Sequence, residues 1–388
     1  MTRKNAIFAT ILAAAACILT ACEKDDTDFS EYINDAGYTD DSSSAADNTS
    51  AAASTIYITY NGSSVSVTGD DRGYVSTSGA DVTVNTGTDT DSLLLVLSGS
   101  TTDGSLLVYR QKKFGIRLNG VSINNGDGPA INNQCGKSLF LEVAGGTANT
   151  LSDGSSYTDA TDSSGNAIDQ KGAFFSEGQV YVLGTGSLTV TGHCKHGFAC
   201  DDYIVISDEV SLNVSSTTGN GIKVNDGLWI NNGNIDISVT ADAARGIKCD
   251  SVVVISGGYT TITTEGDCVY DSDEQDYSSA ACIKCDYPFT MTGGTLTMTS
   301  SGDGGKGINC ASDIVFSGGT LIATTTGGNE DSNPKAIKSD TGIIVSGGSF
   351  TATVRKSWAC DNGFDDDTLS DAELALKRIT VEGTPATC

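Results

Sequence analysis

The chain has 388 residues, with 49 acidic against 22 basic side chains and a formal charge of −27. That balance excludes nucleic acid as a partner, because phosphate binding needs a clustered basic surface. Acidic surfaces of this kind serve solubility or bind cations instead.

Arg3 and Lys4 precede an alanine-rich apolar run from Ala6 to Leu19, the pattern of a targeting segment too short to span a bilayer comfortably. It closes on Leu19-Thr20-Ala21-Cys22, which resembles the lipobox of bacterial lipoproteins. The resemblance implies a signal peptide over 1–21 and a lipid on the Cys22 thiol, which anchors the chain to the outer membrane. From 22 to 54 the chain is acidic and rich in Ser and Ala, so it buries too little to offset its ordering entropy and reads as a tether. Glu23-Lys24-Asp25-Asp26 is similar to the surface-export signal of Bacteroidota lipoproteins, which implies surface exposure. A solubilising linker fits those residues too.

Residues 55–127 read as irregular strands that begin and cap a solenoid, with buried runs at Leu93-Leu94-Leu95-Val96-Leu97 and Leu106-Leu107-Val108. An uncovered end would leave a sticky edge. From 128 to 362 one unit recurs: Gly221-Ile222-Lys223-Val224-Asn225, Gly246-Ile247-Lys248-Cys249-Asp250, Cys282-Ile283-Lys284-Cys285-Asp286, Gly307-Ile308-Asn309-Cys310-Ala311 and Ala336-Ile337-Lys338-Ser339-Asp340. Looser copies start at Gly172 and Gly197, and Ala359-Cys360-Asp361 is a last echo. Two further strands follow in each unit, parted by Gly-Gly corners such as Gly257-Gly258. Three short strands in about 25 residues make one coil of a parallel β-helix, an all-β solenoid. A β-propeller needs four strands and longer blades. Residues 363–388 read as an acidic cap with a short helix over 369–378.

Ile116-Arg117-Leu118-Asn119-Gly120-Val121, then Gly126-Asp127-Gly128-Pro129-Ala130-Ile131, then Asn149-Thr150-Leu151-Ser152-Asp153-Gly154 resemble the bacterial carbohydrate-binding β-helix lipoprotein family, which includes a clostridial cellulose- and polygalacturonate-binding protein. The resemblance covers roughly 60 to 360. It implies a right-handed, single-stranded β-helix that binds acidic plant polysaccharide or cellulose with calcium and performs no catalysis.

Strand alternation turns Ile and Cys inward and Lys outward. Lys223, Lys248, Lys284 and Lys338 then form one row suited to the carboxylates of a polyuronate, beside Asn225, Asp250, Asp286 and Asp340. Equally, Lys and Asp neutralise each other across the rungs, at about 0 to 1 kcal/mol per pair. Lys171, His196, Arg245, Lys306 and Lys335, just before the repeat starts, form a second basic track. Calcium prefers several oxygens from turns, which points to Asp267, Asp271 and Asp273 of the acidic insertion at 268–281 and its flank, together with Asp303. Cys249, Cys285 and Cys310 read as buried thiols, Cys268 and Cys282 as a staple for the insertion, and Trp229 as core.

Three functions compete: a monomeric surface protein that holds polysaccharide, a calcium-dependent polysaccharide lyase with Arg245 as base, and an adhesin for a protein partner. Fold analogy supplies no reaction.

Overall fold

The computed structural model describes residues 54–89, 91–328, 331–354 and 364–366. The lipobox, the tether, the echo at 359–361 and the segment 369–378 lie outside them. Among the described residues every regular element is a strand, and the parallel strands stack as a solenoid of about 11 turns, ~25 residues each. No described helix is long and apolar enough to cross a membrane.

Three ladders run along the solenoid. The first carries the repeat read from the sequence: Ile222, Ile247, Ile283, Ile308 and Ile337 stand in register, with Phe198 and Phe174 before them. All are buried, and Phe174 stacks on Phe198 with centroids 4.2 Å apart. Beside them, Val224, Cys249, Cys285, Cys310 and Ser339 form the second inward row. The second ladder buries Leu228, Val253, Phe289 and Ile314, and the third Ile235, Thr260, Leu296 and Leu321. Each fully buried aliphatic side chain contributes roughly 1.5 to 3 kcal/mol. Alternation along each strand therefore fixes both the core and what faces solvent.

The corner between the second and third ladders depends on glycine. In Gly257-Gly258 the second residue takes φ of +71°, and a Cβ there would lie 2.5 Å from the Gly233 carbonyl oxygen one coil back. Any side chain would break both the turn and the coil spacing.

At the N-terminal end, Ser54–Asn61 pairs antiparallel with Val65–Thr68 and parallel with Leu93–Thr101, and covers the first coil. Toward the C-terminus, Phe364–Asp366 pairs with Lys335–Ser339 and places Phe364 beside Ile337.

One register differs from the sequence reading. The steps counted from the sequence set Gly172 level with Gly197, whereas the ladder pairs Gly172 with His196 and Phe174 with Phe198. Phe174 decides it: its ring belongs to the hydrophobic core and stacks on Phe198, and a one-residue slip would lift it out of that row. The long step between Gly246 and Cys282 is the insertion, an antiparallel hairpin of Val269–Asp271 and Asp276–Ser278 on the side of the solenoid.

Candidate functional site

On the outward face of the first ladder, Lys223, Lys248, Lys284, Asn309 and Lys338 stand in register. Lys223 Nζ lies 2.5 Å from Asp250 of the next coil and donates to Asn225 Oδ1 at 2.7 Å. Lys248 bridges Asp250 at 2.6 Å and Asp286 of the next coil at 3.0 Å. Lys338 pairs with Asp340 at 2.6 Å. Most of this row is thus neutralised within the protein.

Lys284 is the exception. The carboxylate that each earlier lysine reaches follows the ladder residue of the next coil, and for Lys284 that position is Ala311. Among the described residues Lys284 has neither a hydrogen bond nor an ion pair. Burial, then the charges of Arg245 and Lys248, push its pKa below that of an ordinary lysine, against the pull of Asp286 and Glu274. Its ammonium is half-buried and lacks an anion, so an external carboxylate would satisfy it.

Much of the second basic track is engaged within the protein. Arg245, Lys306 and Lys335 are in register, with Ala281 between the first two. Arg245 donates through Nη1 to the Ala243 carbonyl and through Nη2 to Ser278 Oγ at 2.8 Å, tying the hairpin to the coil. Lys306 is 6% exposed and donates to the carbonyls of Gly304 at 3.0 Å and Asn333 at 2.5 Å. Lys171 stands one residue off the track and pairs with Asp169 at 2.7 Å and with Asp201. His196 accepts the Asn220 N–H on Nδ1 at 3.0 Å; burial, then Lys223, Lys195 and Lys171, push its pKa down to about 4.

The four aspartates expected to hold calcium do not converge. Asp271 Oδ1 accepts the backbone N–H groups of Asp273 and Glu274 and shapes the hairpin turn. Asp267 Oδ1 accepts the Asp303 N–H at 2.7 Å. What does converge is a thiol with two carboxylates: ligand atoms of Cys268, Asp303 and Asp331 lie within 4.8 Å of one another. Calcium takes six to eight hard oxygens, so these residues do not fit it. A second group, Asp169, Glu177 and Asp201, is closed by the Lys171 ammonium.

Trp229 is not core. In Gly227–Ile230 it is Leu228 and Ile230 that are buried, and Trp229 faces outward at the end of a row with Phe140, Tyr181 and Tyr203. Phe140 stacks on Tyr181, and the next contacts, Tyr181 to Tyr203 and Tyr203 to Trp229, are edge-on at 86° and 84°. Ring faces are therefore largely spent on neighbouring rings rather than offered to a sugar. Strand parity in Gly227-Leu228-Trp229-Ile230 carried the signal for Trp229. Cys268 and Cys282 are free thiols, so no staple closes the insertion. Cys282 instead lies in the core against Thr264.

A family model described as a carbohydrate-binding domain-containing protein matches residues 78–245 and 209–364. The chain belongs to that family. The two matches overlap, as alike coils require. This member of the carbohydrate-binding domain family is also similar to a solved structure described as the polysaccharide lyase-like protein from C. thermocellum, in a gadolinium derivative. The identity is 21% and the TM-score 0.54, over 68% of this chain and 97% of that one. At that identity the likeness concerns the fold. No curated protein matches.

Proposed function

We propose that this protein holds acidic plant cell-wall polysaccharide, a pectin-type polyuronate, at the bacterial cell surface without cleaving it. One observation carries the reading: Lys284 is half-buried, lies next to Arg245 and Lys248, and has no carboxylate of its own. A uronate carboxylate supplies the missing partner, and the aligned rungs on either side suit a long chain. The family supports carbohydrate as the ligand. A lipid on Cys22 would supply the outer-membrane anchor. Arg245, the candidate base of a lyase, is committed to Ala243 and Ser278, which favours binding over cleavage.

The test is to incubate the purified chain with polygalacturonate, with and without EDTA, and to record retention and the absorbance of unsaturated product. Retention without product is expected. It should persist in EDTA if Lys284, rather than a bridging calcium, supplies the charge that meets the polymer. Product formation would overturn the reading in favour of a lyase; retention on cellulose alone would overturn the choice of ligand.

A further inference from the structure

At the base of the hairpin, Cys268, Asp303 and Asp331 come from the exit loops of three successive coils. The loops are already joined by backbone bonds: the Cys268 N–H donates to the Asp303 carbonyl at 2.9 Å, and the Gly304 N–H to the Gly328 carbonyl at 3.0 Å. Two features at the cluster point to a ligand. Asp303 Oδ1 is fully buried and has no hydrogen-bond donor, and a buried carboxylate oxygen is ordinarily paired. The Cys268 side chain is also buried, in a residue only 9% exposed; it bonds to no other residue and lies within 4.8 Å of both carboxylates. Tyr277 donates to Asp331 Oδ1 at 3.2 Å, which fixes that carboxylate and leaves its second oxygen. Lys306 braces the surrounding loops through Gly304 and Asn333.

We propose that Cys268, Asp303 and Asp331 form a binding site for a thiophilic divalent cation, with zinc as the best fit. Zinc takes thiolate and carboxylate ligands in a tetrahedron, and three protein ligands leave a fourth position for water. On binding, the thiol releases its proton to solvent as the sulfur–metal bond forms, with no change in oxidation state. The cation would fasten the hairpin to the two following coils.

The test uses the purified chain with zinc alone, titrated against a chromophoric chelator, and with cobalt, whose bond to a thiolate gives a near-ultraviolet charge-transfer band. Uptake of one equivalent is expected, with affinity falling at least tenfold in Cys268→Ser and in Asp303→Asn, and the cobalt band lost in Cys268→Ser. Cys194→Ser should bind as the parent does. Circular dichroism establishes that each variant is folded, and Asp331→Asn, at an exposed position, provides a variant that leaves the core untouched. No uptake, uptake unchanged by Cys268→Ser, or displacement of zinc by equimolar calcium would overturn the proposal. The readout involves no polymer, so its failure leaves the polyuronate reading standing.

Discussion

Lys284 stands one coil before Ala311, in the relation that Lys248 holds to Asp286, where ammonium and carboxylate are 3.0 Å apart. The gap in the acidic row, rather than the lysine row itself, is what leaves a charge for a ligand. Ala311→Asp should close it. Retention on polygalacturonate should fall about tenfold or more, the worth of one charge-assisted bond, although no lysine has been removed. Thermal stability should change by no more than about 1 kcal/mol, because the new pair is partly exposed. Unchanged retention would show that the ligand lies elsewhere.

Lys284 also predicts a pH dependence. Its folded pKa lies below the ordinary lysine value, chiefly through burial. Just beneath about pH 10.4 the unfolded chain therefore binds a proton that the native protein has lost, and stability rises with pH in that window. Retention should move the other way and decline as pH rises through the depressed pKa. Lys284→Met should start weaker and lack that phase in a retention series across alkaline pH.

His196 gives the opposite limb. It titrates near 6.5 in the unfolded chain and at about 4 when folded, because burial disfavours its cation. Between those values the unfolded chain holds the extra proton, so stability falls as pH drops from 6.5 to 4, by roughly 3 kcal/mol in all. Denaturant midpoints measured across that range should show the loss, and His196→Gln should flatten it. An unaltered slope in the variant would assign the acid limb to other groups.

Two of the buried thiols, Cys249 and Cys282, should be inert. Burial pushes Cys249 and Cys282 up to about 12, and alkylation requires the thiolate. Iodoacetamide at mildly alkaline pH, followed by peptide mass mapping, should label the partly exposed Cys194 well before either. Both should become reactive in denaturant. Rapid labelling of Cys249 in the native state would contradict the closed core.

Much of the fold was legible because Gly-Ile-Lys-x-Asp recurs, and a strand that pairs with its own copy must stack like on like. The slip at Gly172 came from matching glycine to glycine, where the interior follows the large apolar side chain, Phe174. The lysine row was equally visible, but its pairing was not. Which ammonium lacks a partner depends on the residue one coil onward, and Ala311 had been in the sequence all along. The convergence of Cys268, Asp303 and Asp331 was illegible for a different reason: only the stacking of three exit loops brings together residues that lie 35 and 28 positions apart.

The ladders join each coil only to the one before and the one after. Away from the hairpin, length is therefore a free variable of this architecture, since inserting or deleting a whole coil moves the ends by about 4.8 Å while leaving the ladder contacts elsewhere as they were. Lineages could lengthen or shorten the rod in such steps, and each interruption, such as Asn309 among the lysines or Ala311 among the acids, would act as a mark on a ruler, fixing where along the polymer the protein takes hold.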